Sequence, residues 1–336
     1  MCHRRPLSTL LVFMVCRHRL LEILHLDREQ FLTFAAVLED EYHNNPYHSA
    51  LHAADILQIV YAMSSCNISD SDASVHPLQT PPPPTPLCGG LPGTHIDLRT
   101  IAALAQTPEY IYTDSGPGDP TATLLSILPP LDLLTLFVGA AAHDVGHPGV
   151  NNQFLRSINH DVCAFYTNSY LETFHTLTVL FLLQRTSNFI DNLQPQCRST
   201  FIESLAGIIL STDMMYHDRL VQDFSAFTAV LAQLPIDSRC SFVLGNRILV
   251  MKAVVHAADI SNAARSLAYC KLWSRKLLQE LASMQHLGNL LRHVSTCPDA
   301  KLLLLRHQSN GLADIVQINP QGVVPCNVVL LSCQNP

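Results

Sequence analysis

Residues 131–144, LDLLTLFVGAAAHD, constrain the fold of this chain more than any other stretch. Apolar side chains follow one another here almost without interruption, so a helix over these residues would be apolar on nearly every side. Such a helix is stable in water only when other elements surround it. The segment ends in two ionisable residues, His143 and Asp144. The sequence therefore predicts a central buried helix with polar chemistry at its C-terminal end.

Helical spacing of apolar residues recurs before and after this segment, whereas the alternation typical of strands is scarce before the C-terminal tail. Apolar residues make up 48% of the 336 residues, which is enough for a large core. We therefore expect an all-α fold, with many helices packed compactly. The helical patterns cover residues 8–42, 48–63, 131–144, 171–185, 199–215, 219–233, 243–258 and 267–284.

Two segments do not follow the helical pattern. Residues 65–128 contain PPPP at 81–84 and the stretches SDSDAS and TDSGPGDP, which are typical of a partly disordered surface insertion. This insertion is either a regulatory loop or a solvated linker. Residues 283–336 form a tail, and no aromatic residue follows Trp273. The sequence thus predicts one domain over residues 8–282, interrupted by the insertion and followed by an atypical tail.

Charge, cysteine usage and hydropathy exclude several classes of protein. The net charge of −7 argues against a nucleic-acid-binding surface. The 11 cysteines are odd in number and include no CxxC pair, so we expect reduced thiols in the cytoplasm. No apolar run reaches about 18 residues, so no membrane span is expected. The basic and apolar start lacks a small-residue cleavage site, and we interpret it as an amphipathic helix.

Histidines and carboxylates occur together in four places, mostly at the one-turn spacing that puts them on one helix face. A single such pair is more often a core or surface feature than a metal site, and an Asp at a helix end is often a cap. Four of them in apolar surroundings favour a divalent cation, because buried ionisable groups are costly unless paired or coordinated. The clusters are His48, His52 and Asp55; His143, Asp144, His147 and Asn152; Glu172 and His175; and His256, Asp259 and Asn262.

These motifs occur in the order found in class I cyclic-nucleotide phosphodiesterases. The chain resembles that family over about residues 20–64 and 129–282, nearest to its cAMP-selective branches, including the type 7 branch. The resemblance implies an all-α, HD-type phosphodiesterase domain that hydrolyses a 3',5'-cyclic nucleotide, with cAMP favoured, to the 5'-monophosphate. The motifs are YHNNPYHSALHAADILQ at 42–58, HDVGHPGVNNQFL at 143–155, LETFH at 171–175, STDM at 211–214 and HAADISN at 256–262.

The resemblance also implies two divalent metal ions, a tightly held zinc and a second ion, magnesium or manganese, to which Asp144 bridges. A hydroxide between the ions would attack the cyclic phosphate, and His48 would be the general acid that protonates the departing 3' oxygen. Asn262 would hydrogen-bond the purine. The implied ligands of the zinc are His52, His143, Asp144 and Asp259, and the implied water-holding and supporting residues are His147, Glu172, His175 and Asn152.

Several positions depart from the family pattern without removing an implied metal ligand. The tail departs further, because the family places a glutamine and then a phenylalanine on a late helix, and this tail has no aromatic residue. Two alternatives stay open: a catalytically impaired metal-binding homologue, and a different metal phosphohydrolase of the broader HD type. The departing residues are Ser49 for Asn, Gly146 for Asp, Thr173 for Asn, Phe174 for His and Ala263 for Pro.

Overall fold

The computed structural model describes residues 5–68, 122–160, 162–165, 168–186 and 188–295. These ranges are mostly helical, and the one extended pairing within them is an isolated antiparallel bridge between Asn67 and Thr123. The prediction of an all-α fold is confirmed. The α-helices are α1 (Pro6–Arg17), α2 (Leu20–Ile23), α3 (Arg28–Asp40), α4 (Ala50–Ser64), α5 (Leu124–Ile127), α6 (Pro130–Ala142), α7 (Asn152–Ser157), α8 (Val162–Phe165), α9 (Tyr170–Arg185), α10 (Pro195–Leu210), α11 (His217–Gln233), α12 (Ile236–Gly245), α13 (Arg247–Asp259) and α14 (Leu267–Ser295). Short 3₁₀ helices span Met214–Tyr216 and Ser261–Ala264.

Helix α6 is the predicted central helix. Pro130 lies in its first turn, where the missing N–H has no intrahelical partner to lose. Every residue from 132 to 142 is buried, and the helix packs against α1, α4 and α10. A Cβ at Gly139 would lie only 2.9 Å from Cγ2 of Ile208 on α10, so glycine allows these two helices to approach closely. The predicted buried helix is present over Pro130–Ala142, and the buried His143 and Asp144 follow its end.

Packing of these helices brings several helix ends to one side of the core. His143 and Asp144 directly follow α6, and His52 lies in the first turn of α4. Asp259 is the last residue of α13, and Glu172 lies in the first turn of α9. Helix α6 contacts α4, α9 and α13, and α4 also contacts α13. The four predicted polar clusters are therefore carried by helices that pack on one another.

Helix α14 is continuous to residue 295 and so passes residue 282, where the predicted domain ends. Its Leu287 packs in a small apolar cluster with Val150, Leu155 and Leu171. Helix α14 thus still packs with the helical body at Leu287 and Leu291, while the domain bounds at residues 282 and 283 stay a prediction. Residues 296–336 lie outside the described residues.

The insertion predicted over residues 65–128 has two described flanks. The backbone N–H of Ile68 donates to the carbonyl of Ala122 at 2.9 Å, and Leu128 is fully buried. Residues 122–128 pack with the helical body, so this edge of the insertion lies earlier in the chain than predicted. Residues 69–121 lie outside the described residues.

Among the described residues, no single helix combines the length and apolar composition needed to cross a membrane. Helices α12 and α13, which meet at an angle of 82°, satisfy that test only as a bent pair.

A buried carboxylate from α3 caps the N-terminus of α1. Glu39 accepts hydrogen bonds from the backbone N–H groups of Leu7 at 3.2 Å and Ser8 at 3.0 Å, and from the hydroxyl of Ser8. Glu39 and Ser8 are both buried. Since the first N–H groups of a helix have no intrahelical acceptor, this carboxylate satisfies donors that water cannot reach.

We expect Glu39→Gln to lower the free energy of unfolding by about 1–3 kcal/mol, because a charged acceptor for buried donors is lost. The control is Glu41→Gln, whose partner Arg185 is 60% exposed and which should change stability by less than about 1 kcal/mol. Urea denaturation followed by circular dichroism measures both. Equal midpoints for the two variants would contradict the capping role.

Candidate metal and catalytic site

Two histidines and two aspartates from three helices converge at the end of the core. One ligand atom each of His52, His143, Asp144 and Asp259 lies within 4.8 Å of the other three. Nε2 of His52 is 3.1 Å from Oδ1 of Asp259, and Nε2 of His143 is 3.2 Å from Oδ2 of Asp144. Ligand atoms around a tetrahedral ion at about 2.0–2.2 Å lie roughly 3.3–3.6 Å apart, so the spacing suits a divalent cation.

Hydrogen bonds to the backbone fix which imidazole nitrogens face the cluster. Nδ1 of His143 donates to the carbonyl of Ala140 at 2.9 Å, and Nδ1 of His175 donates to the carbonyl of Val145 at 2.7 Å. Nε2 of both rings is then the nitrogen turned toward the cluster, buried and without a hydrogen-bond partner among the described residues. In a neutral ring this nitrogen carries a lone pair that a cation can accept, so the donor set fits a metal ion.

The ionisable groups of the cluster depend strongly on one another. Burial alone would lower the pKa of His143, but Asp144 and Asp259 raise that pKa well above its usual value. Burial alone would raise the pKa of Asp144 and Asp259, but His143 and neighbouring histidines lower both. The carboxylates therefore stay ionised and demand positive charge beside them, which a divalent cation would supply.

The two carboxylate oxygens of Asp144 lie near different histidines. Its Oδ2 is 3.7 Å from Nε2 of His52, on the side of the cluster just described. Its Oδ1 is 3.9 Å from Nε2 of His175, on the other side. The geometry is what a residue bridging two neighbouring cations requires.

The second side of Asp144 is lined by imidazoles that stay neutral. Burial lowers the pKa of His175 to about 4 and holds that of His147 well below its usual value. Nδ1 of His147 accepts a hydrogen bond from the N–H of Gly149 at 3.0 Å, so its Nε2 carries a proton. Neutral imidazoles next to an ionised carboxylate are groups that can hold ordered water around a second ion.

Glu172 is held on this side by Asn152. Nδ2 of Asn152 donates to Oε2 of Glu172 at 3.0 Å, and Oδ1 of Asn152 accepts from the N–H of Leu171 at 2.9 Å. Burial raises the pKa of Glu172 to about 7, with Asp213 also contributing. The structure thus brings His147 next to His175, with ring centroids 5.5 Å apart, and Asn152 next to Glu172. Their predicted water-holding roles stay predictions.

The partly buried His48 pairs with the buried Glu280, a residue that sequence reasoning missed. Oε1 of Glu280 contacts Nδ1 of His48, and Oε2 accepts from the backbone N–H groups of Tyr47 at 2.9 Å and His48 at 3.1 Å. The signal in the sequence was a glutamate on the apolar stripe of α14, seven residues after Trp273 and seven before Leu287. Glu280 is only 4% exposed, so its charge is balanced by these donors.

The environment of His48 favours its charged form. Burial opposes protonation, but Asp144 and Glu280 outweigh it and raise the pKa of the ring. The ring stacks on His147 with centroids 3.8 Å apart. Nδ2 of Asn45 donates to the carbonyls of both residues, at 2.9 Å for His48 and 2.7 Å for His147. A Cβ at Gly149, where φ is +73°, would approach Oδ1 of Asn45 to 3.0 Å, so glycine is required beside this link.

Asn262 lies on the 3₁₀ helix that follows Asp259. Its Nδ2 donates to the hydroxyl of Tyr47 at 2.8 Å. Its Oδ1 is buried and has no hydrogen-bond partner among the described residues. Tyr47, also missed by sequence reasoning, packs with ring centroids 4.6 Å from His52 and 5.6 Å from Trp273. The predicted purine-contacting residue is therefore tied to the side chains next to the metal cluster.

Two members of the sequence clusters do not join the site. His256 donates through Nδ1 to the carbonyl of Ser211 at 2.9 Å, and its Nε2 lies 2.9 Å from Nδ1 of His217. Asp55 pairs with Arg265. Both residues share a helix face with a site residue, but their side chains are engaged by other partners.

Two departures from the family pattern contact each other. Gly146 has a φ of +72°, and a Cβ there would lie 3.1 Å from the ring of Phe174. The absence of a side chain at position 146 leaves the space that the phenyl ring occupies. Neither residue contributes an atom to the cluster of His52, His143, Asp144 and Asp259.

Comparisons with known proteins identify a family. The family model described as 3'5'-cyclic nucleotide phosphodiesterase matches residues 104–297, more than half of the chain. This match extends beyond residue 282, at which the resemblance described from the sequence motifs ends.

Relatives and solved structures point the same way. "Probable 3',5'-cyclic phosphodiesterase pde-3" of Caenorhabditis elegans is 27% identical over 75% of this chain and 32% of its own length. "3',5'-cyclic-AMP phosphodiesterase 4C" of Rattus norvegicus is 26% identical over 82% of this chain and 42% of its own length. The chain thus spans less than half of these relatives. The crystal structure of the phosphodiesterase domain of the RhoPDE fusion protein from Salpingoeca rosetta shares the fold, with a TM-score of 0.58, 18% identity and coverage of 85% of this chain and 72% of its own.

We expect Asp144→Ala to lose bound divalent cation, with affinity falling roughly 10–100-fold or more, because both oxygens of this carboxylate face ligand nitrogens. Metal content after dialysis, measured by mass spectrometry, checks this. The matched control is Asp132→Asn, which alters a buried aspartate paired with Arg247 at the other end of α6. Retained metal in Asp144→Ala would refute its assignment as a bridging ligand.

Proposed function

The chain belongs to the 3',5'-cyclic nucleotide phosphodiesterase family, and on that premise we propose that it hydrolyses a 3',5'-cyclic nucleotide to the 5'-monophosphate. The observation that carries the proposal is the convergence of His52, His143, Asp144 and Asp259 within 4.8 Å. The pair of His48 and Glu280 lies beside these side chains, since the ring centroid of His48 is 6.0 Å from that of His52. Since the family match and this convergence agree, a catalytically impaired homologue is not favoured.

We propose zinc for the position among His52, His143, Asp144 and Asp259, because mixed imidazole and carboxylate ligands suit it. Magnesium or manganese suits the other side of Asp144, where neutral imidazoles and Glu172 offer contacts to water. When bound, such cations lower the pKa of water and neutralise charge on phosphoryl oxygens. Asp144 would hold both positions at a fixed separation.

His48 supplies the proton that the leaving group needs. Hydrolysis adds the oxygen of water to phosphorus and breaks the bond from phosphorus to the 3' oxygen, which must leave with a proton. Because Glu280 engages Nδ1 of His48, the proton available for transfer is the one on Nε2. The raised pKa favours the imidazolium form of the ring. Glu280 thus acts as a positioning residue that fixes the ring and its charge.

We propose cAMP as the substrate, on the basis of Asn262. With Nδ2 engaged by Tyr47, the acceptor Oδ1 of Asn262 is the side-chain atom left without a hydrogen-bond partner among the described residues. Adenine presents an amino donor at its 6 position, whereas guanine presents a carbonyl oxygen there. An acceptor on the protein therefore favours adenine. The cAMP phosphodiesterase 4C among the relatives supports the same substrate, and closeness to the type 7 branch stays a prediction.

We also propose that the protein acts in the cytoplasm. All cysteines among the described residues are free, which suits a reducing compartment. They are Cys16, Cys66, Cys163, Cys197, Cys240 and Cys270.

Turnover of three substrates by the purified protein tests the proposed function. We expect hydrolysis of cAMP, with the 5'-monophosphate as product and a lower kcat/KM for cGMP. The third substrate is bis-p-nitrophenyl phosphate, which has the diester but no base. Metal-loaded protein that turns over none of them contradicts the proposed activity, and turnover of the plain diester alone would assign a phosphohydrolase without a nucleotide pocket.

We expect His48→Ala to lower kcat by about 10²–10⁴-fold while metal content stays unchanged, because a general acid is lost but no ligand of the zinc position. Stopped assays with cAMP and metal analysis of the same sample measure the two quantities. One atom each of His48, His147 and Glu280 also lies within 4.8 Å of the others. Loss of metal together with activity would therefore place His48 in a ligand set.

We expect Glu280→Gln to shift the pH dependence of kcat/KM. The amide keeps the shape of the side chain but removes the charge that raises the pKa of His48. Activity that needs the imidazolium falls as pH rises through this pKa, so the fall should begin at a lower pH in the variant. The control is Glu203→Gln, an exposed residue on α10. If kcat/KM fell at the same alkaline pH in the variant as in wild type, Glu280 would not set the charge of His48.

A further inference from the structure

Asp55 forms a buried ion pair that the proposed mechanism does not use. Its Oδ2 accepts from Nη1 of Arg265, and the two side chains are 9% and 7% exposed. The guanidinium of Arg265 also lies over the ring of Tyr269, 4.0 Å from its centroid. Such a pair costs desolvation, so its geometry is held only where packing and partners satisfy both charges.

The pair connects helix α4, which carries His52, to the segment that carries Asn262. Asp55 lies on α4, one turn after His52. Arg265 directly follows the 3₁₀ helix that carries Asn262, six residues after Asp259. The backbone N–H of Arg265 is 3.5 Å from the carbonyl of Asn262, so the ion pair lies within one turn of that residue.

Asn262 is thereby held from two directions. Its amide donates to Tyr47, which packs against His52 and Trp273. Its backbone belongs to the short segment that Arg265 anchors to α4. A 3₁₀ helix of four residues has poor hydrogen-bond geometry of its own, so outside contacts decide its placement.

We propose that Asp55 and Arg265 are positioning residues that set the placement of Asn262 against the nucleobase. This inference rests on the proposed function, since it concerns the part of the same site that would bind the nucleobase. Loss of the pair would let the segment of Asn262 move relative to α4. Binding of the base would weaken, while the metal cluster and His48 would keep their own contacts.

A second ion pair of similar chemistry provides the control. Nε of Arg247 donates to Oδ2 of Asp132 at 2.8 Å, and the Asp132 side chain is 5% exposed. This pair joins the N-terminal ends of α6 and α13, whereas His143 and Asp259 lie at their C-terminal ends. Asp132→Asn therefore removes a buried charge without touching the segment of Asn262.

The experiment compares Asp55→Asn and Arg265→Lys with Asp132→Asn on two substrates. For the first two variants we expect KM for cAMP to rise about tenfold, as the loss of one well-placed hydrogen bond would produce. Turnover of bis-p-nitrophenyl phosphate, which has no base, and metal content should stay within about twofold of wild type. Arg265→Lys keeps the charge but not the paired geometry, so it separates placement from folding. Asp132→Asn should leave KM for cAMP unchanged.

Three results would overturn the positioning role: an unchanged KM for cAMP, a parallel loss of turnover on both substrates, or the same rise in KM in Asp132→Asn. Wild-type protein that hydrolyses neither substrate would instead contradict the proposed function. In that case calorimetric titration with cAMP compares the same variants. Weaker binding in Asp55→Asn and Arg265→Lys but not in Asp132→Asn supports the positioning role, and equal affinity in all variants overturns it.

Discussion

Buried charge at the meeting point of helix ends is the interaction on which the rest of the structure depends. Asp144 and Asp259 are ionised although they lie among buried groups, because imidazoles lower the pKa of both. The imidazole of His143 turns its Nε2 toward them, since its Nδ1 is hydrogen-bonded to the backbone. Buried carboxylates are costly unless positive charge lies beside them, and either a protonated imidazole or a bound cation supplies that charge.

The apolar core makes this arrangement rigid. Helix α6 is buried on all sides, so the residues that follow its last turn have little freedom to move away from α4 and α13. Helix α14 adds the second part of the site, because Trp273, Glu280 and Leu287 repeat every seven residues along its buried face. The glutamate in this stripe holds His48 through one oxygen and the backbone before it through the other. Packing thus positions both the proposed cation ligands and the proposed acid.

Much of this could be predicted from the sequence, because apolar periodicity and one-turn spacing are local properties. The buried helix over residues 131–144 and the clusters of His52, His143 and Asp144 follow from them. Glu280 could not be paired with His48 in this way, since they are 232 residues apart and only the fold brings them together. His256 shows the opposite limit, because its spacing resembles that of a ligand while its ring is bonded to Ser211 and His217. Spacing along one helix shows which residues share a face, but it does not show which other residues contact that face.

The most direct measurement is anomalous X-ray scattering from crystals of the metal-loaded protein, collected on both sides of the zinc absorption edge. The account predicts a peak within bonding distance of Nε2 of His52, Nε2 of His143 and the carboxylates of Asp144 and Asp259. Density for a second, lighter ion should lie on the His175 side of Asp144. No peak among these four side chains in zinc-loaded crystals, or a peak elsewhere, would contradict the account.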